Sequence, residues 1–151
     1  MYFSYPQETY SEIPDEISLA ISISGCSLAC KGCHSTETWN PEFGRELTTD
    51  ELDKLFKKYK YSTAVLFYGG EWNLEELEYF IEYTKKYNKK VCLYTGLELE
   101  DFSDDFINKL DFIKVGKYNQ QLGGLQSKKT NQKFFKIEQG ELIDWTYKFQ
   151  V

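Results

Sequence analysis

The stretch that decides the fold reads EISLAISIS at residues 16–24, and Gly25 and Cys26 follow it directly. Bulky aliphatic side chains alternate in this stretch with small ones, namely Ile17, Leu19, Ile21 and Ile23 against Ser18, Ala20, Ser22 and Ser24. An alternation with period two predicts a β-strand whose two faces differ. We expect the aliphatic face to pack against helices and the small face to leave room for a bound group.

Helices and strands alternate after this first strand. Amphipathic helices are predicted to begin after the capping residues Thr48, Asn73 and Ser103. Buried strands are predicted at 64–68, 90–94 and 111–115. This order is typical of βαβ units, so the sequence predicts the α/β class with mostly parallel strands. Two apolar runs at 134–138 and 142–149 flank Gln139-Gly140-Glu141 and predict a C-terminal β-hairpin.

Length and charge limit the class of protein. A chain of 151 residues without an evident linker predicts a single domain over 1–151. The net charge of -6 argues against nucleic acid as a partner, because phosphate binding needs an excess of Lys and Arg. The sequence lacks an apolar run of membrane-spanning length and a signal peptide. We therefore expect no membrane association, a cytoplasmic location and four cysteines that remain thiols.

The strongest chemical signal is the spacing Cys26-x-x-x-Cys30-x-x-Cys33. Thiolates are soft ligands, and three of them this close together can converge on one metal centre. A [4Fe–4S] cluster normally takes four thiolates, so three local ligands predict a cluster with one iron open to substrate. Two other interpretations stay open: a structural zinc site formed by the three cysteines and His34, and a redox dithiol formed by Cys30 and Cys33. The fourth cysteine, Cys92, lies mid-strand and is predicted to be a small buried side chain.

Two more strand ends carry residues suited to ligand binding, Gly69-Gly70-Glu71 and Thr95-Gly96. Because ligands of parallel α/β sheets bind at the carboxyl ends of the strands, we expect both segments at the same edge as Cys26. Glycines let a ligand approach the backbone, and exposed carbonyls together with Glu71 suit the amino group of an amino acid. Each segment could also be an ordinary turn without a ligand.

Taken together, these motifs resemble those of the radical S-adenosylmethionine superfamily. The cysteine triad matches the cluster motif of that superfamily, and Gly69-Gly70-Glu71 matches its methionine-binding motif. Within the superfamily, the chain resembles the activating proteins of anaerobic ribonucleoside-triphosphate reductase through residues 25–34, 37–39, 92–96 and 130–133. The resemblance extends from Ile17 to Phe149.

This resemblance implies a partial (β/α) barrel of the radical S-adenosylmethionine type and an oxidoreductase function. A reduced [4Fe–4S] cluster would cleave S-adenosylmethionine, and the resulting 5′-deoxyadenosyl radical would abstract hydrogen from a glycine loop of the large reductase subunit. An electron donor such as flavodoxin or ferredoxin is implied as well. The implied cluster ligands are Cys26, Cys30 and Cys33, and the implied contacts of S-adenosylmethionine are Gly32, His34, Gly69, Gly70, Glu71 and Thr95.

The sequence leaves other functions open, and one polar segment near its end is a candidate for contact with a partner. The chain could activate a different glycyl-radical enzyme, be another small radical enzyme, or be a zinc or iron–sulfur binding module without catalysis. The polar stretch between Tyr118 and Gln132 predicts a surface loop. We expect Asn131 and Gln132 to contact the partner protein, and the alternative is a solvated connector.

Overall fold

In a computed structural model that describes residues 1–28 and 36–150, the chain forms one eight-stranded sheet with three helices. The strands are β1 (Tyr2–Thr9), β2 (Ser18–Ile23), β3 (Arg45–Glu46), β4 (Ala64–Tyr68), β5 (Lys90–Tyr94), β6 (Phe112–Val115), β7 (Lys133–Glu138) and β8 (Glu141–Asp144). The helices are α1 (Thr49–Lys58), α2 (Leu74–Lys85) and α3 (Asp104–Ile107). Short 3-10 turns occupy Thr36–Trp39, Glu71–Asn73, Leu99–Asp101 and Thr146–Phe149.

The three predicted helices are confirmed, and each begins after its predicted cap. The side-chain oxygen of the cap accepts a hydrogen bond from the backbone N–H three residues on, at 3.1 Å for Thr48, 3.3 Å for Asn73 and 3.2 Å for Ser103. Such a bond satisfies one of the N–H groups that a helix leaves unpaired at its start. The predicted central strands are confirmed as well, within one or two residues at each end.

The strand order is β3-β1-β2-β4-β5-β6-β7-β8, and it corrects one prediction. Only the pairings β2–β4, β4–β5 and β5–β6 are parallel, whereas the other four are antiparallel. The α/β class is confirmed, but the expectation of mostly parallel strands is wrong. A parallel neighbour needs a crossover connection, usually a helix, and the links from β1 to β2 and from β6 to β7 contain none. The C-terminal hairpin is confirmed, with its second arm ending at Asp144.

The sheet separates two hydrophobic clusters. The larger cluster packs the aliphatic face of β2, at Leu19, Ile21 and Ile23, against α1, α2 and α3. On the other face Ala20 belongs to a smaller cluster that includes Leu66, Cys92, Phe112 and Phe134. The predicted division between the two faces of this strand is therefore confirmed, but the small face is covered at Ala20 and opens into a cavity only at Ser22.

Residues 116–132 form the predicted loop, without helix or strand. Within residues 1–28 and 36–150, none of the helices has the length and apolarity needed to cross a membrane.

Candidate cofactor and metal site

The carboxyl ends of β2, β4, β5 and β6 meet at one edge of the sheet, since these four strands are paired in parallel. A cleft of about 610 Å³ lies at this edge and is lined by Cys26, Tyr94, Thr95, Gly96 and Lys114 among others. A smaller cavity of about 160 Å³ shares part of this lining and reaches Gly69 and Glu71. The structure thus brings together three of the segments that the sequence singled out.

A row of polar side chains held in register contributes Tyr68, Tyr94 and Lys114 to the cleft. Ser22 pairs with Tyr68, Tyr68 with Tyr94, and Tyr94 with Lys114. Residues paired in this way point to the same face of the sheet. The rings of Tyr68 and Tyr94 meet edge-on with their centroids 5.4 Å apart. Burial raises the pKa of both phenols, so both are neutral hydrogen-bonding groups at physiological pH.

Glu71 and Thr95 form a hydrogen-bonded pair between the ends of β4 and β5. The Thr95 hydroxyl donates to Glu71 Oε1 at 2.8 Å and accepts from the Leu97 N–H at 3.1 Å, which fixes its orientation. The second carboxylate oxygen, Glu71 Oε2, is buried and has no partner among the described residues. Burial raises the pKa of Glu71, while the bond from Thr95 acts in the opposite direction. A carboxylate with one free buried oxygen is suited to receive an ammonium group.

Lys114 is a functional candidate that the sequence analysis missed. Its Nζ lies 4.3 Å from the centroid of the Tyr94 ring, which is a cation–π contact. Burial lowers the pKa of this ammonium, and the nearby Glu12 opposes that shift. In the described part of the chain, Lys114 has no carboxylate within ion-pair distance. The available signal was a single charge inside an otherwise apolar buried strand, where Lys is rarely found without a partner.

Trp72 packs against two strand ends at this edge of the sheet. Its Nε1 donates to the carbonyl oxygen of Ser24 at 2.9 Å and so ties the end of β4 to the end of β2. A Cβ on Gly69 would lie 2.4 Å from the Trp72 ring, and a Cβ on Gly25 would lie 2.7 Å from it. Both glycines have positive φ, at 86° and 112°. These two glycines therefore make room for the indole.

Gly70 packs in a different direction. A Cβ at Gly70 would lie 3.2 Å from a methyl group of Leu77 and 3.5 Å from Ile23, so this glycine lies against α2 and the core. Its predicted contact with a cofactor stays a prediction.

The two cysteines that the structure describes divide between the cleft and the core. Cys26 is partly exposed, lines both cavities, and follows Gly25, whose N–H donates to the Thr38 carbonyl oxygen at 2.6 Å. Cys92 is fully buried within β5, which confirms its predicted role as a small core side chain, and burial raises the pKa of its thiol. The predicted ligands Cys30 and Cys33, and the predicted contacts Gly32 and His34, lie outside the described residues.

Asn131 and Gln132 both hold the loop that follows β6. The Asn131 amide donates to the Lys117 carbonyl oxygen at 3.0 Å, and the buried Gln132 amide donates to the Gly116 carbonyl oxygen at 3.1 Å. Gln132 also lines the cleft. These contacts give both residues a structural role, and their contact with a partner protein stays a prediction.

Comparison with known proteins places this site in a family. A family described as "4Fe-4S single cluster domain" matches residues 17–136, which is most of the chain. The chain belongs to this family of single-cluster 4Fe-4S domains. The matched region includes the Cys26 motif, Gly69 to Glu71, Thr95 and Lys114.

Relatives of this 4Fe-4S domain protein include three activating proteins. The anaerobic ribonucleoside-triphosphate reductase-activating protein of Enterobacteria phage T4 is 26% identical over 113 residues, or 69% of this chain and 72% of that protein. The protein of the same name from Vibrio cholerae serotype O1 is 27% identical over 112 residues, or 66% of this chain and 72% of that protein. The pyruvate formate-lyase-activating enzyme of Clostridium pasteurianum is 36% identical over 74 residues, or 46% of this chain and 31% of that enzyme. No solved structure matches the chain significantly. The resemblance stated from the sequence is therefore confirmed.

The described residues of this 4Fe-4S domain fit an iron–sulfur cluster. The partly exposed Cys26 thiol faces a cleft rather than the core, and the hydrogen bond from Gly25 to Thr38 fixes the backbone just before it. A thiolate is the ligand type that such clusters take. Among the described residues, Glu71 Oε2 in the adjoining cavity has no hydrogen-bond partner and Lys114 in the cleft has no ion-pair partner, so the two spaces together also fit a ligand that carries both charges.

Proposed function

We propose that this chain is a radical S-adenosylmethionine activase that forms a glycyl radical on anaerobic ribonucleoside-triphosphate reductase. The observation that carries the proposal is the cleft in which Cys26, the Glu71–Thr95 pair and Lys114 converge, in a chain of the 4Fe-4S family. Two relatives named as activating proteins of this reductase support the choice of partner. The predicted enzyme class and cofactors agree with these relatives.

The proposed cluster ligands are Cys26, Cys30 and Cys33. When bound, the reduced cluster supplies the electron that cleaves S-adenosylmethionine. Cys26 follows the end of β2 and lines the cleft. Cys92 is excluded as a ligand because it is fully buried in β5. We assign Gly32 and His34 to contacts with the adenosyl group, and we propose flavodoxin or ferredoxin as the electron donor.

The described residues bind the methionine part of S-adenosylmethionine through opposite charges. Glu71 Oε2 accepts from the ammonium group, and Thr95 holds the carboxylate of Glu71 in place. Lys114 donates to the carboxylate group of the ligand, because it is a partly desolvated cation without an ion-pair partner in the described chain. Gly69 lines the smaller cavity at the end of β4 beside the Trp72 ring, while Gly70 packs against the core.

The proposal also covers the chain as a whole. Residues 1–151 act as a single domain whose sheet forms a partial barrel, with the row from Ser22 to Lys114 on its open side. Gln132 lines the cleft, and we assign it and the exposed Asn131 to contacts with the reductase. The activity belongs in the cytoplasm, where reduced thiols persist, and it involves neither nucleic acid nor a membrane.

The test is anaerobic reconstitution with iron and sulfide, followed by dithionite and S-adenosylmethionine. We expect 5′-deoxyadenosine by chromatography and, with the purified reductase, a glycyl radical signal by electron paramagnetic resonance. Cys26→Ala and Cys30→Ala should lose cluster and activity, whereas Cys92→Ala is the matched control and should keep both. A colourless wild-type protein that holds zinc and makes no 5′-deoxyadenosine would leave the alternative of a non-catalytic binding module.

A second candidate partner is pyruvate formate-lyase. The relative named as its activating enzyme has the higher identity, 36%, but over 46% of this chain. Incubation of the reduced activase with each purified glycyl-radical enzyme separates the two candidates, because the radical signal should appear on the reductase alone.

A further inference from the structure

The two residues that follow β2 are held by contacts with several distant segments. The Ser24 N–H donates to the carbonyl oxygen of Tyr2 at 2.9 Å, and the Ser24 hydroxyl donates to the carbonyl oxygen of Phe43 at 2.6 Å. The next backbone N–H, that of Gly25, donates to the carbonyl oxygen of Thr38 at 2.6 Å. Because Ser24 is only 3% exposed, these partners rather than water satisfy its polar groups.

Trp72 supplies the partner for the carbonyl group of Ser24. Its indole Nε1 donates to the Ser24 carbonyl oxygen at 2.9 Å. A buried carbonyl group without a partner costs free energy, so this bond stabilises the backbone of Ser24 in its observed position. Trp72 belongs to the 3-10 turn Glu71–Asn73, which follows β4, and β4 is paired with β2. One side chain therefore connects the ends of two neighbouring strands.

The indole ring also separates two glycines. A Cβ on Gly25 would lie 2.7 Å from Nε1 of Trp72, and a Cβ on Gly69 would lie 2.4 Å from Cη2 at the other edge of the ring. The two edges of the ring thus lie against the two strand ends. Because an aromatic ring is rigid, its width sets the separation between the backbones of Gly25 and Gly69.

These strand ends carry different parts of the proposed site. Cys26 directly follows Gly25, and Glu71 directly precedes Trp72. The smaller cavity is lined by Cys26, Glu71 and Trp72 together. Groups that orient a metal ligand without binding the metal typically change metal affinity by roughly 10–100-fold when they are removed. The indole is placed to act in this way on Cys26.

We propose that Trp72 is a positioning residue, which fixes the backbone before Cys26 for cluster binding and sets the distance between Cys26 and Glu71. This inference rests on the proposed function, which assigns Cys26 to the cluster. The N–H of the indole acts through Ser24, and the ring acts through its contact with Gly25. Loss of the N–H leaves the strand end able to shift, so the thiolate of Cys26 no longer has a single position.

The test measures how firmly the reconstituted holoprotein holds its iron. Trp72→Phe keeps an aromatic ring and removes the N–H. Site-specific incorporation of benzothienylalanine at residue 72 keeps the shape of the indole and replaces the N–H by sulfur. The matched control is Trp145→Phe, because Trp145 is also partly buried but packs against the smaller hydrophobic cluster and lines neither cavity.

Three quantities are measured anaerobically and without S-adenosylmethionine. The rate of iron release to the chelator ferrozine reports how firmly the cluster is held. The electron paramagnetic resonance spectrum of the reduced cluster reports whether its ligands have one arrangement or several. Denaturant titration of the cluster-free protein gives the free energy of unfolding.

We expect both replacements at Trp72 to release iron about tenfold faster than the wild type or more, whereas Trp145→Phe should stay within about twofold. The spectrum of the reduced cluster should broaden in both Trp72 proteins, because Cys26 then occupies several positions. A purely structural role would lower the free energy of unfolding without broadening the spectrum, and that result would overturn the proposal. Normal iron release in the benzothienylalanine protein would also overturn it, as would an equal change in Trp145→Phe.

The same proteins separate this inference from the proposed function. If the wild type cleaves S-adenosylmethionine and both Trp72 proteins hold iron normally, only the positioning role is wrong. If cluster retention depends on Trp72 but the wild type cleaves no S-adenosylmethionine, the proposed function fails and the positioning role stands.

Discussion

The Glu71–Thr95 pair gives the sharpest prediction for cofactor binding. Thr95→Val removes the hydroxyl that donates to Glu71 Oε1 at 2.8 Å and leaves a side chain of the same shape. The bond stabilises the ionised carboxylate, so its loss raises the pKa of Glu71 further above the ordinary value. The affinity for a ligand ammonium, which needs the carboxylate ionised, should then begin to fall at a higher pH as the solution is acidified.

The magnitude follows from the strength of the bond. A hydrogen bond to a charged group contributes about 1.5–3 kcal/mol. Because Glu71 is only partly buried, we take the lower end, so loss of the bond should weaken binding of a ligand ammonium at neutral pH by about tenfold. The same substitution leaves the Leu97 N–H without its partner, so we also expect a loss of folding stability of about 1–2 kcal/mol.

The assay is a pH titration of the Glu71 carboxyl group by carbon-13 NMR, with Glu71→Gln to identify the signal. Affinity for S-adenosylmethionine is measured over the same pH range by anaerobic calorimetry. Thr95→Ser keeps the hydroxyl and is the control, so its titration should follow the wild type. A midpoint in Thr95→Val that is unchanged or lower would refute the reasoning, as would a Thr95→Ser protein that titrates like Thr95→Val.

Two further substitutions test the walls of the cleft. Gly69→Ala should lower the free energy of unfolding by about 2–4 kcal/mol in a denaturant titration, because its positive φ disfavours a side chain and its Cβ would lie 2.4 Å from Trp72. The control is Gly140→Ala, because Gly140 also has a positive φ but an added Cβ there would have no atom within 4 Å. This variant should lose only about 1–2 kcal/mol of unfolding free energy. Equal losses in the two variants would contradict the contact with Trp72. Lys114→Met should weaken S-adenosylmethionine binding by about tenfold or more, because the charge that binds the ligand carboxylate is lost. The control is Lys117→Met at an exposed position, which should bind like the wild type. Equal affinities of the two variants in calorimetry would exclude Lys114 from the site.

The central part of the fold could be predicted because its signals are local. A cap at Thr48 or Asn73 and an alternating or apolar run such as Ala64–Tyr68 depend only on neighbours in the chain. The strand β1 depends on distant pairing instead. It contains Pro6, mixes polar and aromatic residues, and is stabilised as a strand by pairing with β2 and β3. The antiparallel pairings of β1 with β2 and β3, and of β6 with β7, therefore went unpredicted, although the C-terminal hairpin was expected. With these pairings the expectation of mostly parallel strands failed.

The site was predictable to the extent that strand ends converge in parallel sheets. Cys26, Glu71 and Thr95 each follow a predicted strand, so the topology alone brings them to one edge. Lys114 lies inside β6, and whether its side chain faces the cleft or the helices depends on the register with Tyr94. A shift of one residue would have put Ile113 in the cleft and Lys114 among the helices. Register is set by packing over the whole sheet and cannot be read from the sequence of one strand.

The register also places charge at one end of the cleft. Ser22, Tyr68, Tyr94 and Lys114 form a single row, but their sizes and charges differ greatly along it. Ser22 lies outside the lining of the cleft, whereas Lys114 brings a charge into it, with two tyrosine rings between them. A charged space suits a zwitterionic ligand. The proposed cofactor carries a carboxylate, and the row accounts for binding this carboxylate at the end of the cleft formed by β6.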